Sequence, residues 1–296
     1  MPNRWLVLFL LTVSYASCAA AQQPRKSQSS PTPRTIILPA RTIAGEATTL
    51  AVLDSEGRLL PNITVEFSGG RKVITDSTGR ALFHAPNEAG RLIATIARQG
   101  ISASTNVLAA DDSGSHAGVQ VSSYPHVVAV RDRFTVEGWG FAGAADSNHV
   151  YLADRPCLIL ASSPIALVVL PGPNLPLGNI KFHVTVAGIE AGQFAISAVQ
   201  LEFSGPEESA NAGASGKLIL RARGTTEPLI VEVRNGSPKV IQLLKGNVQR
   251  VKTSGGNPNI APVDARFLAG GDYSISARLI SADACCSKTG TTPVPR

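Results

Sequence analysis

An all-β chain of tandem β-sandwich domains is predicted by three observations. Apolar residues make up 44% of the 296 positions while charged ones make up 16%, enough apolar content for packed cores. No segment keeps an i, i+3, i+4 apolar period over helical length, whereas short apolar/polar alternations recur throughout. Turn formers, among them 27 Gly and 20 Pro, separate these runs about every 8–12 residues, the spacing of sandwich strands. The length accommodates roughly two or three such domains.

The chain opens with "MPNR", then the unbroken apolar run "WLVLFLLTV" at 5–13, then "SYASCAAAQQ". These are the n-, h- and c-regions of a secretory signal peptide, residues 1–21, cleaved after Ala21 at an A-x-A site. The expected location is therefore exported: periplasmic, cell-surface or extracellular. No later segment approaches ~20 apolar residues, so no transmembrane span is expected in the mature chain. A lipid anchor at Cys18 in "YASC" is the less favoured alternative, because Tyr15 stands where lipoprotein signals usually carry Leu. Residues 22–34, "QQPRKSQSSPTPR", read as a flexible polar linker.

Breaks at 109–118 and 204–216 divide the remainder into three segments. In the first, 35–110, Leu50 and Val52 alternate, as do Ile63, Val65 and Phe67, with "DSEG" offering a turn between the runs. Thr75, Asp76, Thr78, Gly79, Ala81, Phe83, Ala85, Pro86, Gly90, Ala94 and Thr95 follow the pattern "TD.tG.A.F.AP...G...aT". That pattern resembles bacterial immunoglobulin-like domains of the invasin type, which implies a spacer or presenter module in a surface protein. Asp76 is expected to serve an Asx-type turn.

The second segment, 119–190, carries Tyr124-Pro125, Phe134, Val136, Gly138, Gly140-Phe141, Val150, Leu152, Cys157, Leu167-Val168, Pro171, Pro176, Gly178, Val184 and Val186. These positions resemble an IPT/TIG domain, which implies an immunoglobulin-like fold and brings no common catalytic residues. Within it, "GWGFAG" at 138–143 matches G-x-G-x-x-G. A dinucleotide site needs a long helix starting at those glycines, yet strand-like residues return by "HVYLA". Gly138 and Gly140 are instead read as structural turn residues. Phe134 and Val136 share one strand face, so Phe141 reaches the same core only if the chain changes phase, through a bulge or bend that glycine tolerates.

The third segment, 193–282, is read as a β-sandwich of no recognised family. Leu229, Val231 and Val233 alternate before Asn235-Gly236, a type I′ dipeptide that predicts a hairpin returning at Val240. Residues 283–296 are read as a loose C-terminal tail.

Candidate chemistry is sparse. Without the leader, Cys157, Cys285 and Cys286 remain; one disulfide from Cys157 to a tail cysteine, or free thiols, are the alternatives. Five histidines are scattered singly, so no metal is expected and no cofactor is implied. Asp146, Asn148 and Asp154 suggest calcium but lack the glycine and glutamate of an EF-hand loop. No G-x-S-x-G is present and no catalytic residue is assigned. Trp139 and Tyr151 are proposed as a carbohydrate-facing platform. Asp264, Arg266 and Asp272 are the group to watch if the third segment were an enzyme.

The formal charge of +6 falls by one with Arg4 of the leader, and the basic residues are scattered. That balance suits an anionic envelope or polysaccharide and gives no nucleic-acid stripe. The expected role is non-enzymatic binding, adhesion or presentation at a bacterial cell surface, with domains forming a semi-rigid rod. A protein or cell-envelope polysaccharide is the expected partner. Alternatives are a carbohydrate-binding accessory protein and an enzyme with its site in the third segment.

Overall fold

Alternating burial builds about half of the strands, whereas Ala47–Asp54, Leu158–Ser163 and Ala166–Leu170 are buried almost throughout. Residues Asn259–Phe267 switch between buried and more exposed at each position, as a pleated ribbon with one face on a core must. The computed structural model describes residues 32–110, 118–205, 213–280 and 284–286, the last for backbone only. The leader, Cys18 and most of the linker lie outside the described residues.

The first sandwich comprises β1 (Pro33–Ile37), β2 (Arg41–Ile43), β3 (Ala47–Asp54), β4 (Thr64–Phe67), β5 (Lys72–Ile74), β6 (Arg80–His84), β7 (Gly90–Ile96) and β8 (Ile101–Leu108). One sheet places β3 between β1 and β6; the other runs β2-β8-β7-β4-β5. Leu50, Val52, Val65, Phe67 and Phe83 fill the space between them, with the two Phe rings 4.5 Å apart.

The second sandwich comprises β9 (Gln120–Pro125), β10 (Val127–Ala129), β11 (Phe134–Trp139), β12 (Asn148–Leu152), β13 (Arg155–Pro156), β14 (Leu158–Ser163), β15 (Ala166–Leu170), β16 (Gly178–Val186) and β17 (Ile189–Ser204). Strands β14-β15-β11-β9 face β13-β12-β16-β17, with β10 parallel to β17. Val136, Val150, Leu167, Phe182 and Ile196 lie in the shared core.

The third sandwich adds β18 (Ser215–Arg223), β19 (Ile230–Asn235), β20 (Ile241–Leu243), β21 (Val248–Lys252), β22 (Asn259–Phe267) and β23 (Ile275–Leu279). Here β17-β18-β22-β20 packs on β21-β19-β23 around Leu218, Leu220, Val231, Val233 and Ile241. The fold is thus all-β with tandem sandwiches, three cores in sequence order.

The sandwiches share sheets. Ser162 of β14 pairs with Thr49 of β3, so one sheet continues from the first sandwich into the second. A separate apolar cluster seals that junction, with Ile37, Ala51 and Leu53 against Leu160, Ala161 and Val168. Between the second and third, β17 is one 16-residue strand. Its stretch from Ile189 to Ala198 pairs β16 and its last five residues pair β18.

Four sequence expectations are corrected. The boundary drawn at 190–193 falls inside β17, because both flanking β strands hydrogen-bond to one unbroken ribbon. The linker assigned to 22–34 ends early, since Pro33 and Arg34 already belong to β1 on β3. The tail assigned to 283–296 contains β24 (Ala284–Cys286), whose backbone extends the second sandwich by pairing β9. Asn235-Gly236 does not close a type I′ hairpin, as neither residue has positive φ. Strand β19 is already paired on both edges, by β21 and β23, so the chain crosses to the opposite sheet. Asn235 still organises that crossing: its Oδ1 accepts from Ser237 N at 2.9 Å and its Nδ2 donates to Ile241 O at 2.6 Å.

Candidate functional site

The G-x-G-x-x-G segment is strand, bend and loop, followed by a single 3-10 turn at Ala145–Ser147; no helix begins within 138–143. Phe141 is buried in the core that also holds Phe134 and Val136. The phase change sits at Gly140, whose φ of +75° is left-handed. The opposing register slips between Glu137 and Gly138, with the extra residue on β9. A Cβ on Gly138 would strike the Gln120 carbonyl oxygen and the Phe141 ring. A Cβ on Gly143 would strike the Ala47 carbonyl of the first sandwich. These glycines serve packing and an inter-sandwich contact rather than a phosphate.

The candidate calcium trio Asp146, Asn148 and Asp154 does not converge. Asn148 is buried, and its amide holds the loop after Phe141: Oδ1 accepts from Ala142 N at 2.9 Å, while Nδ2 donates to Ala142 O and Ser162 Oγ. Asp146 receives Arg80 Nη2 at 2.6 Å across the first junction. Asp154 is exposed, with φ +59° in the β12–β13 turn. Arg80 in turn is placed by the Asp76 turn: Asp76 Oδ1 accepts from Thr78 N, Thr78 Oγ1 and Arg80 N at 2.8, 2.6 and 3.2 Å.

Trp139 and Tyr151 are not brought together. Each points away from the core, but Trp139 lies on β11 of one sheet and Tyr151 on β12 of the sheet facing it, so they look outward on opposite sides. Tyr151 instead stacks on His183, ring centroids 4.7 Å apart and 15° from parallel, in a cross-strand row with Pro156 and Gln193. Cys157 has no disulfide partner among the described residues, and the side chains of Cys285 and Cys286 lie outside them. Burial pushes the Cys157 thiol pKa up, partly offset by the backbone at Gly172 and Leu152, which disfavours the reactive thiolate. Asp264 and Arg266 share the more exposed face of β22, and Asp272 is exposed in the loop that follows.

Three adjoining concave features lie between the second and third sandwiches, apart from a smaller hollow beside Phe67 and Ile93 of the first. The three are hollows of about 530, 700 and 670 Å³, in the size range of ligand clefts. Val127, Leu279 and Ile280 line both the first and second, while Asn179, Ser197 and Glu227 line both the second and third. None of Asp264, Arg266 and Asp272 lines any of them. The first is the most charged, with Arg133, Arg234, Arg250 and Arg278 beside Asp132 and Glu232. Arg278 Nε donates to Asp132 Oδ2 at 3.2 Å, tying β23 to the β10–β11 turn. No sequence motif points here, because the walls come from strands far apart in the chain.

No protein-family model matches the chain, and no curated protein matches it. Among solved structures, it is similar to the plexin A4 full extracellular region at 16% identity, covering 86% of this chain and 23% of that one, TM-score 0.29. It is similar to the SGBP-B protein of the Bacteroides ovatus mixed-linkage glucan utilization locus, solved with a mixed-linkage heptasaccharide, at 9% identity, covering 84% and 75%, TM-score 0.26. Domains 1–6 of the surface layer protein SbsC match at 11% identity over 86% of this chain and 39% of that one, TM-score 0.22. The chain spans about a quarter of the plexin's length.

Proposed function

We propose that this is an exported, non-enzymatic binding or presentation protein of a bacterial surface, whose ligand seat is the cleft between the second and third sandwiches. The first sandwich is read as an invasin-type immunoglobulin-like module and the second as an IPT/TIG module. The partner is a protein or a cell-envelope polysaccharide. The observation that carries the reading is the run of adjoining hollows, whose walls are held in register by the single strand β17. Binding across two rigidly joined modules needs little reorganisation, which lowers the entropic cost of association.

A glycan array and a panel of envelope proteins, probed with the mature full chain and with Asn179→Trp, test it. Asn179 is exposed and lines two of the hollows, so a bulky ring there fills the seat without entering a core. Binding that the substitution abolishes is the expected result. Binding that survives both this substitution and Arg250→Gln, which alters the first hollow, places recognition elsewhere and ends this reading.

One observation favours a second reading, a carbohydrate-binding accessory role on the outer face of the second sandwich. The stacked Tyr151–His183 pair beside Gln193 offers a ring surface with a neighbouring amide. Tyr151→Ala should abolish glycan binding under that reading and leave it intact under the first.

A further inference from the structure

The 530 Å³ hollow holds more positive charge than its own carboxylates neutralise. Arg250 and Arg278 flank Glu232 across the β21-β19-β23 register, and Arg234 is the next residue on the same face of β19. The two carboxylates are each engaged by one arginine: Glu232 Oε1 by Arg234 Nε at 2.6 Å, and Asp132 Oδ2 by Arg278 Nε at 3.2 Å. The guanidiniums of Arg133 and Arg250 have no hydrogen-bonded or ion-paired partner among the described residues. Burial, then repulsion from Arg278, pushes the Arg133 pKa down, with Asp132 opposing. An anion in the hollow would offset both effects by its opposite charge.

The chemistry of the walls selects among anions. A guanidinium fork matches a carboxylate bidentately. Arg234, Arg250 and Arg278 lie on the β21-β19-β23 sheet and Arg133 on the β10–β11 turn beside it, so the cations come from two separate elements, which suits separate monoanions better than one dianion. Asp132, Glu232, Ser123 and Thr135 also line the hollow and supply acceptors for hydroxyl donors. Acidic peptides bring carboxylates without a row of hydroxyls, and phosphate concentrates its charge at a single centre. Sugars that carry carboxylates satisfy both sets of groups.

We propose that this hollow binds a uronate-bearing oligosaccharide, with its carboxylates on Arg133 and Arg250 and its hydroxyls on Asp132 and Glu232. The proposal rests on the reading that the cleft is the ligand seat. Calorimetric titration of the mature full chain with trigalacturonate, its methyl ester, inorganic phosphate and a polyglutamate peptide tests it. Trigalacturonate should bind, more weakly at high salt, and the ester should bind about ten-fold or more weakly than the acid. Arg133→Gln and Arg250→Gln should each weaken the acid by a similar factor. Arg250 is exposed, so that variant tests the site even if Arg133→Gln disturbs folding.

Equal binding of ester and acid overturns the proposal, as does displacement of the sugar by phosphate or polyglutamate at equal concentration. Indifference to Arg250→Gln also overturns it. No trigalacturonate binding, together with an Asn179-sensitive ligand on the array, would sink the uronate assignment and leave the cleft standing. Absence of any ligand sensitive to either Asn179→Trp or Arg250→Gln would remove the cleft itself.

Discussion

Gly143 shows how one missing methyl group can join two domains. Its Cα lies against the Ala47 backbone, and Thr49 Oγ1 donates to its carbonyl at 2.7 Å while accepting from Ala145 N at 3.2 Å. Gly143→Ala should destabilise the protein by about 1–3 kcal/mol through overpacking at a backbone that cannot yield. Urea unfolding would register this as a lower midpoint at unchanged slope; an unmoved midpoint would show the contact to be loose. Gly140 is constrained differently, by its left-handed φ, and the phase argument that placed a glycine bend before Phe141 was readable from side-chain alternation. The role of Gly143 was not readable, because its neighbour is 96 positions away at Ala47 in a different sandwich.

Turns in the first sandwich depend on carboxylates. Asp76 has its pKa held down by the Thr78 hydroxyl, then by backbone N–H groups and Arg80, against some desolvation. The Asp54 carboxyl is also lowered, chiefly by the Arg58 backbone N–H, with further bonds from the Arg58 side chain and Glu56 N. Depressed carboxylate pKa values mean the folded state binds fewer protons. The associated stability is therefore complete above the unfolded value of about 3.9 and is lost as pH falls through the lower folded values. Unfolding midpoints should drop on acidification through that window, and Asp76→Asn should flatten the drop. A profile that Asp76→Asn leaves as steep would contradict the assignment. The Asn235 turn is governed by pairing instead: the dipeptide alone favours a hairpin, but β19 has no free edge to offer a returning strand.

The shared sheet and the junction cluster predict that the first two sandwiches unfold as one unit. Leu160 is buried in the apolar cluster between them, and Leu160→Ala should cost about 2–5 kcal/mol by leaving a cavity at the junction. Calorimetry should show that loss as a shift of one transition, whereas two separated transitions would mean the sandwiches unfold independently. Trp139 offers a sharper readout. Of the two tryptophans, Trp5 lies in the leader proposed for removal, and in a chain lacking that leader indole fluorescence reports Trp139 of the second sandwich. Leu50→Ala, in the core of the first sandwich, should lower the Trp139 unfolding midpoint as well. A midpoint that ignores Leu50→Ala would limit the junction to docking without coupling.

Strand class, the three cores and the inward phase of residues such as Val136, Val231 and Val233 were legible in the primary structure, because they depend on a two-residue period that each strand carries locally. The same holds for the Asx turn at Asp76, whose partners lie within four positions. The candidate site was not legible. Arg133, Arg234, Arg250 and Arg278 read singly as ordinary surface charges, and only the pairing of β19 with β21 and β23, docked against β10, gathers them. Trp139 and Tyr151 show the converse, two aromatics close in the chain that the sandwich sends to opposite faces. Local alternation decides which side of its strand a residue takes; which strands meet, and so which charges share a cleft, is decided by long-range packing.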